Sequence, residues 1–407
     1  MRHISRTLVL LFAALTVTGV LCSSFEATAQ VKKKGKKKAG KKDVEKTDDK
    51  KPKTEVKKKE DFKPDQAQVE LKYLDKDKSY WVFDVAFGAD GKTLAAAYRN
   101  YSIKIWDIGT KKDVQTLKGP AKDARGLAEY KSIVFLKDQV LVGTGFWNVK
   151  KKAAQGEVRV WNAKDGKAGK PLDGHAAAVE AIAVSKDGKT LATASKDGTV
   201  LIWDIAGGKT TQTIKGHTDD VTSVGFSPDG KQLVTTSKDR TLRVWTIADA
   251  KELANFKVER EVEVKVTKGK GKGAKTIVTK KKELGREFTT ALFTSDGKRV
   301  IAGNLDGIIK IYDVDGKKEA KELKAHEGVW ALALSPDGSK FATGGWDGTI
   351  KIWNTAAGNE LRTIKAHIRL GSTPVEGGTV NSLSFSPDGQ WLASGGIDGT
   401  VKIWSVK

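Results

Sequence analysis

The sequence predicts an all-β protein: a single seven-bladed β-propeller of four-stranded antiparallel blades. The first observation is a motif that recurs seven times and ends in an aromatic residue, most clearly in TASKDGTVLIWD, which begins at Thr193. The second is its period, because three of the six spacings between these aromatics are 41 or 42 residues, as in propeller repeats. The seven aromatics, one for each blade in chain order, are Trp106, Trp161, Trp203, Trp245, Tyr312, Trp353 and Trp404.

The third observation is a tight turn that precedes the second strand of every predicted blade. In blade six it reads Ser335-Pro336-Asp337-Gly338, where proline fixes φ, aspartate bonds its own backbone and glycine takes the position with positive φ. Blade two has Gln139 where the other blades have glycine. The segments between turns are short, rich in β-branched and aromatic residues, and often apolar on both faces. That pattern is typical of strands covered on both sides by neighbouring sheets.

The predicted ring needs one further strand to close. The last strand motif of the sequence belongs to the third strand of blade seven and ends at Trp404. A strand-like stretch, QAQVELKY at residues 66–73, stands before blade one. We therefore expect this N-terminal strand to complete the last blade, which removes the open sheet edges that would otherwise invite aggregation.

Two insertions lengthen the repeats. Trp147 to Gly156 extends a connection in blade two. Residues 257–286 form a larger insertion, in which strand-like segments flank the stretch TKGKGKGA. It holds 11 basic and 4 acidic residues, a net charge of +7. We predict a protruding basic hairpin there.

The motifs resemble those of the WD-repeat family of propellers, and the resemblance spans residues 66–407. It implies that a histidine before the first strand bonds a Ser or Thr, an Asp and the Trp of its own blade. Blades six and seven have Gly345 and Gly396 where this pattern places the hydroxyl, and blades one, two and five lack the histidine. Blades three and four match in full, and we predict two structural tetrads: His175, Ser195, Asp197, Trp203 and His217, Ser237, Asp239, Trp245.

The first 29 residues have the features of a secretory signal peptide. Arg2 and Arg6 precede an apolar run from Leu8 to Leu21, and Ala27-Thr28-Ala29 is a small-residue cleavage site. An uncleaved membrane anchor and lipid attachment at Cys22 are the alternatives. We expect an exported protein, periplasmic or extracellular, of a bacterial type, with no membrane span in the mature chain.

Residues 30–65 are predicted to form a disordered lysine-rich linker. Val31 to Lys63 holds 16 lysines against 7 acidic residues, and such a segment buries too little apolar surface to offset the entropy of ordering. It is either a solvated spacer or an electrostatic anchor to an anionic surface or polyanion. The chain as a whole is basic, with a formal net charge of +23.

Several motifs that suggest catalysis or ligand binding have a simpler interpretation as parts of the fold. The His, Ser and Asp of the tetrads resemble a hydrolase triad, but the set repeats in more than one blade, whereas a catalytic site is normally single. The four histidines of the repeats lie in different blades, which disfavours a metal site. The stretch Gly269 to Thr276 nearly matches a phosphate-binding loop, but it has Ala274 in place of glycine and no helix behind it. We predict no enzyme, no cofactor and no metal.

A recognition surface remains. The family resemblance implies that the residue just before each blade Asp, and residues early in the first strand, lie on the face where partners bind. Exposed aromatic residues on such a face are typical interface anchors; the alternative is that the tryptophans pack on neighbouring loops. The candidate partner-binding residues are Phe83, Trp147, Lys196, Lys238, Leu305, Trp330, Trp346 and Ile397, with Arg99 at the equivalent position of blade one.

These observations favour a non-catalytic scaffold, a monomeric propeller that binds a protein or peptide partner on its top face. The alternative is a protein that binds a polyanion or an envelope surface through the lysine-rich linker and the basic hairpin. Salt separates the two, since binding to polyanions falls steeply with ionic strength.

Overall fold

The computed structural model describes residues 66–72, 74–75, 78–118, 129–148, 153–268, 275–367 and 378–406. The predicted signal peptide 1–29 and linker 30–65 lie outside the described residues. All regular elements within these ranges are β-strands. None of the described residues forms a helix long and apolar enough to cross a membrane.

Six blades are each built from four consecutive strands that pair antiparallel. The strands from the first described residue to the end of blade three are β1 Val69–Lys72, β2 Leu74–Asp75, β3 Lys78–Ser79, β4 Val82–Phe87, β5 Thr93–Tyr98, β6 Ser102–Asp107, β7 Lys112–Lys118, β8 Glu129–Leu136, β9 Gln139–Asn148, β10 Ala153–Asn162, β11 Leu172–His175, β12 Val179–Val184, β13 Thr190–Ser195, β14 Thr199–Asp204 and β15 Lys209–Lys215. Blade one is β4 to β7, blade two β8 to β11 and blade three β12 to β15.

The remaining blades follow the same order. Their strands are β16 Val221–Phe226, β17 Gln232–Ser237, β18 Thr241–Thr246, β19 Glu252–Lys257, β20 Glu259–Lys268, β21 Lys275–Leu284, β22 Phe288–Phe293, β23 Arg299–Asn304, β24 Ile308–Asp313, β25 Lys318–Lys324, β26 Val329–Leu334, β27 Lys340–Gly345, β28 Thr349–Asn354, β29 Glu360–Lys365, β30 Val380–Phe385, β31 Trp391–Gly396 and β32 Thr400–Ser405. Blade four is β16 to β19, blade five β22 to β25 and blade six β26 to β29. The predicted all-β, seven-bladed fold is confirmed.

Blade seven is completed by the N-terminal strand, as the sequence predicts. Strand β1 pairs antiparallel with β32, so the sheet has the order β1-β32-β31-β30. Leu71 faces Val401 in this register, and its side chain is buried with those of Val82 and Ile403. The two ends of the folded chain therefore share one sheet, and the ring has no open blade edge at the point of closure.

The first strand of each blade is innermost. Strands β4, β8, β12, β16, β22, β26 and β30 each contact the first strands of both neighbours, and β30 contacts β4. Side chains also bridge these strands: Ser132 Oγ accepts from the backbone N–H of Ile182 at 3.3 Å. Such bonds satisfy polar groups around the inner wall and fix the blades relative to one another.

The apolar clusters form where the faces of neighbouring blades pack against each other. One cluster combines Phe256 of blade four with Phe288 and Tyr312 of blade five. The rings of Phe256 and Tyr312 are stacked with centroids 4.3 Å apart. Because each sheet is covered on both faces by its neighbours, its strands carry apolar residues on both faces.

The insertion after blade four is a two-stranded hairpin of β20 and β21, ten residues in each strand. Its base is closed by a hydrogen bond from the N–H of Gly285 to the carbonyl of Val258 at 3.0 Å. Glu261 faces Lys282 in the ladder. The tip, residues 269–274, lies outside the described residues, but its flanks are both strands, so the near-match to a phosphate-binding loop joins strand to strand.

Candidate functional site

Equivalent residues of six blades meet at one rim of the ring, where the second strand of each blade ends; we call it the upper rim. In each of these blades the residue after the second strand donates its backbone N–H to the carbonyl of the residue before the first strand. The pairs are Arg99 to Trp81, Lys196 to Ala178, Lys238 to Asp220, Leu305 to Glu287, Trp346 to Gly328 and Ile397 to Thr379, at 2.9–3.1 Å. This shared bond fixes the predicted candidates at corresponding positions.

Blade six carries two tryptophans in contact at the upper rim. The ring centroids of Trp330 and Trp346 are 5.8 Å apart at an angle of 46°, and both side chains are partly exposed. The guanidinium carbon of Arg286 lies 5.1 Å from the Trp346 ring centroid. Gly328 makes room for this indole, since a Cβ there would lie 3.0 Å from it. We call Arg286, Trp330 and Trp346 the blade-six cluster.

The indole N–H of Trp330 is a polar group with no hydrogen-bond partner among the described residues. It is buried and makes no hydrogen bond within the described parts of the chain. A buried unpaired donor is destabilising by about 1–3 kcal/mol. The blade-six cluster therefore combines an unsatisfied donor with partly exposed aromatic surface.

The predicted lysines of blades three and four are ion-paired rather than free. Lys196 Nζ lies 3.4 Å from Glu180 Oε1, and Lys238 Nζ donates to Asp220 Oδ2 at 2.8 Å. Burial by itself would lower the pKa of Lys238, but the hydrogen bond to Asp220 and its charge outweigh burial and raise that pKa. These two cations are thus largely compensated within their own blades.

The other candidates occupy varied environments. Phe83 is partly buried, and Lys131 Nζ lies 4.9 Å from its ring centroid. Ile397 is partly exposed. The backbone of Trp147 belongs to β9, but its side chain lies outside the described residues.

The expectation that Leu305 offers its side chain to a partner is wrong. Only 3% of its surface is exposed, although its backbone occupies the same rim position as Trp346. Arg286 crosses this point and donates to the Leu305 carbonyl at 3.4 Å. Equivalent backbone position fixes where the chain runs, whereas the exposure of the side chain differs from blade to blade.

Blades three and four each contain a four-residue hydrogen-bonded network below this rim. In blade three, His175 Nδ1 lies 2.9 Å from Asp197 Oδ2, and His175 Nε2 lies 2.7 Å from Thr193 Oγ1. The indole N–H of Trp203 donates to the same Thr193 oxygen at 3.0 Å. Burial by itself would raise the pKa of Asp197, but hydrogen bonds from His175 and Thr199 outweigh it and hold that pKa below its ordinary value.

Ser195 and Ser237, predicted as the hydroxyl members of the tetrads, lie outside these networks. Ser195 Oγ instead donates to the carbonyl of Ala177 at 3.0 Å and accepts from the N–H of Asp197 at 3.1 Å; Ser237 does the same in blade four. Each serine stands at the end of its strand, where a hydroxyl readily caps the following turn. The network hydroxyls are Thr193 and Thr235, two residues earlier.

Because the network hydroxyl lies two residues earlier than predicted, the interpretation of blades six and seven also changes. The glycines there do not remove the network, because Thr343 joins His326 to Trp353 and Ser394 joins His367 to Trp404. Where the histidine is missing, the network is incomplete. The indole N–H of Trp106 in blade one and the hydroxyl of Tyr312 in blade five are buried with no partner in the described part of the structure.

A family comparison agrees with this geometry. The family model described as WD domain, G-beta repeat matches residues 70–107, 166–204, 208–246, 317–354 and 358–405. The chain belongs to the WD-repeat family. Comparison with curated proteins gives no match. The matched segments include the four blades that hold a complete network and also blade one, which lacks the histidine, while the model passes over most of blades two and five.

WD-repeat propellers are generally non-catalytic scaffolds for protein interactions. The His–Asp–hydroxyl set occurs in four blades of this WD-repeat chain, and in each the hydroxyl accepts from the indole N–H of the blade's own tryptophan. Its role is to satisfy buried polar atoms and to tie the outer strands to the inner ones. Among the described residues no group of three or more His, Cys, Asp or Glu side chains has an arrangement that could hold a metal ion.

Asp84 is a partly buried acidic residue, enclosed by hydrogen bonds from neighbouring blades, that sequence reasoning missed. It lies on the innermost strand of blade one, accepts from the N–H of Ile133 in blade two at 2.7 Å, and is hydrogen-bonded to Ser382 in blade seven. Burial raises its pKa to about 6, although hydrogen bonds from Ser382 and from the backbone of Ile133 and Val85 lower it in part. The residue joins three blades around the point where the ring closes.

Proposed function

We propose that this WD-repeat propeller is a non-catalytic scaffold that binds a protein or peptide partner at the upper rim, centred on the blade-six cluster. The observation that supports it most is the contact of Trp330, Trp346 and Arg286 at that rim. Tryptophan and arginine are the residue types most enriched among interface residues that carry binding energy.

The cluster is held in place before any partner arrives. Trp346 follows a second strand whose turn is fixed by backbone hydrogen bonds, and the guanidinium of Arg286 covers part of its ring. Arg286 is itself tied to the neighbouring blade five by its backbone N–H, which donates to Asp306 Oδ2 at 2.6 Å. Preorganised side chains lose little entropy on binding, so more of the contact energy appears as affinity.

The cluster also favours a partner with a hydrogen-bond acceptor. A small adjustment of the rim would bring the unsatisfied N–H of Trp330 within reach of a backbone carbonyl or a side-chain oxygen. Binding would then remove the cost of leaving that donor unpaired. An extended peptide segment supplies both apolar side chains and carbonyl acceptors.

The test is capture from an extract of the source cells with the full chain, the Trp346→Ala variant and the Leu361→Ala variant as baits. Leu361 is a matched control, because it is an exposed apolar residue on the outer strand of the same blade. We expect a discrete protein on the wild-type and Leu361→Ala baits that is reduced about tenfold or more on Trp346→Ala, as for a central interface aromatic. Equal capture by all three baits contradicts the proposal.

A second candidate function is polyanion binding through the hairpin β20–β21 and the lysine-rich linker. On β21 the side chains of Lys280, Lys281 and Lys282 are exposed. Two of them are partly compensated, since Lys282 Nζ lies 3.2 Å from Glu259 and Lys281 Nζ lies 4.0 Å from Glu283. Capture that is lost at high salt would favour this function.

Export is a separate proposal and rests on the composition of residues 1–29. Its test is the N-terminal sequence of the protein isolated from its source. A chain that begins at Gln30 is the expected result, and a chain that retains residues 1–29 contradicts it.

A further inference from the structure

We propose that the upper rim of blade one holds a second binding pocket, which takes an acidic segment of a partner protein by pairing a carboxylate with Arg99 and an apolar side chain with Trp81. The pocket has a volume of about 440 Å³ and is lined by Tyr80, Trp81, Arg99, Asn100 and Tyr101. This inference deepens the proposed function and rests on it, because it names the chemistry of the partner that the rim would bind.

The charge of Arg99 is not balanced by an acidic partner among the described residues, whereas the charges of the equivalent lysines are. Lys196 and Lys238, at the equivalent positions, are paired with acidic residues. Arg99 instead lies over the indole of Trp81, with 4.4 Å between the guanidinium carbon and the ring centroid. No ion pair of Arg99 occurs within the described residues, and its side chain is exposed. A stacked guanidinium keeps its N–H edge available for a carboxylate.

Trp81 stands where the other blades have small or acidic residues. The carbonyl that accepts the shared rim hydrogen bond belongs to Trp81 in blade one and to Ala178, Asp220, Glu287, Gly328 or Thr379 elsewhere. Trp81 is 36% exposed, one of few large apolar residues at the surface of the described chain. An exposed indole beside a cation offers an apolar face and a charge to the same ligand.

Asn100 removes the negative charge that the other blades have at this point. Its counterparts are Asp197, Asp239, Asp306, Asp347 and Asp398. Asn100 Oδ1 accepts from Ser102 Oγ at 2.6 Å, so the amide keeps its N–H groups as donors. Among the described residues that line the pocket none is acidic. A carboxylate that would be repelled by the aspartates of the other blades meets neutral and positive groups among the described residues of this pocket.

Tyr101 occupies a strained position. Its φ is +63°, whereas the corresponding positions of blades three, five, six and seven are the glycines Gly198, Gly307, Gly348 and Gly399. A bulky side chain in this region costs about 1–2 kcal/mol, and such outliers cluster at binding sites. The ring of Tyr101 packs against the core between blades one and two, and that of Tyr80 packs against the core between blades seven and one. The pocket walls are therefore anchored on both sides.

A peptide fits these features better than a nucleic acid does. Grooves for single-stranded nucleic acid combine stacking aromatics with several cations that follow the phosphates. This pocket has aromatic rings but one cation, Arg99, among its described lining residues. A peptide with one carboxylate next to one apolar side chain is complementary to these lining residues.

The experiment selects a random dodecapeptide display library on the full chain and measures the selected peptides by fluorescence anisotropy. The variants are Arg99→Glu, Trp81→Ala and Asn100→Asp, the last a near-isosteric change to the residue that the other blades carry. Arg299→Glu is the matched control, because Arg299 is exposed at the opposite end of a second strand. We expect enriched peptides to place an acidic residue beside an apolar one. Their affinity should fall about tenfold or more in Arg99→Glu and in Asn100→Asp, the loss of one charge-assisted contact, and remain unchanged in Arg299→Glu.

Other outcomes overturn the inference. Absence of enrichment, or peptides that bind Arg99→Glu and Asn100→Asp as well as they bind the wild type, removes the blade-one pocket. Oligothymidylate binding that depends on Arg99 would assign the pocket to nucleic acid instead. The Trp346→Ala variant separates the two proposals: peptides lost only in that variant keep protein binding at blade six while they overturn the pocket at blade one.

Discussion

The indole N–H of Trp203 donates to the hydroxyl of Thr193 at 3.0 Å, and this bond links the third strand of blade three to its second. The same hydroxyl bonds the ring of His175. Removal of this one oxygen leaves two buried polar groups unsatisfied. The structure thus makes Thr193, and not Ser195, the residue on which the network depends.

We predict that Thr193→Val lowers the free energy of unfolding by about 1–3 kcal/mol, the usual cost of leaving buried partners unpaired. Valine keeps the shape of the side chain and its preference for a strand. Urea denaturation measures the change. The matched control is Thr190→Val at the partly exposed start of the same strand, which should change the value by less than about 0.5 kcal/mol. Equal effects of the two substitutions would show that the network contributes nothing.

The contribution of Asp84 to the stability of the fold should fall as pH rises through the titration of this residue. The pKa of this carboxyl is raised by burial from 3.8 to about 6 in the folded chain. The folded state therefore holds its proton more tightly than the unfolded state does, and the resulting stability is fully present below pH 3.8 and is lost as pH rises through 6. At about 1.4 kcal/mol for each pKa unit, the loss amounts to about 3 kcal/mol.

The Asp84→Asn variant isolates this contribution. Unfolding free energies of the variant and the wild type are compared between pH 4 and pH 7, and the wild type should lose about 2.5 kcal/mol relative to the variant, since part of the stability is already lost at pH 4. Asp315→Asn, at an exposed turn, serves as the control and should give a constant difference. A constant difference for Asp84→Asn as well would contradict the buried, charge-disfavouring environment.

Closure of the ring depends on the packing of Leu71 in the N-terminal strand. We predict that Leu71→Ala destabilises the whole propeller by about 2–5 kcal/mol, as for truncation of a buried leucine. Val114→Ala is the control, since Val114 lies on the outer strand of blade one but is 56% exposed. A single shifted thermal transition is expected for Leu71→Ala. A melting curve equal to that of the control would mean that β1 does not stabilise blade seven.

The hairpin β20–β21 should be removable without loss of the ring. Val258 and Gly285 are already joined by a hydrogen bond, so an Asn-Gly turn can replace residues 259–284. We expect an unchanged melting midpoint, because a two-stranded sheet adds little stability to a domain it does not pack into. Elution from heparin should move to lower salt, since the excised residues carry 9 basic and 4 acidic side chains. An unchanged elution position would remove the hairpin from any polyanion site.

The fold could be predicted from the sequence because its signals are repeated. Each blade carries its own turn and its own terminal aromatic. A weakly matching copy of the motif, such as the one before Trp106, can therefore be aligned with the copies that match well. The closing strand could be predicted because blade seven has only three strand motifs of its own and a strand-like stretch precedes blade one. Its pairing with β32 is confirmed.

The site could be predicted only in part, since repeats fix backbone positions and not side-chain neighbours. Thr193 and Ser195 both offer a hydroxyl on the same face of one strand, and competition from the adjoining turn decides between them. Leu305 is buried although its backbone position matches that of the partly exposed Trp346, and the repeat motif carries no signal for that difference. The pocket at Trp81 was not predicted from the sequence. The motif around Asn100 matches the repeat poorly, and the mismatch by itself indicates weak similarity rather than the loss of a negative charge at this position.

The central claim, that a partner binds at the blade-six cluster, is tested most directly by photo-crosslinking in the source cells. Benzoylphenylalanine is placed at Glu327, which is exposed and adjoins the glycine beneath Trp346, and at Leu361 as the control. A discrete crosslinked product from position 327, absent from position 361 and lost when Trp346→Ala is added, is the predicted result. No product from position 327, or a product that persists in the Trp346→Ala background, would contradict the claim.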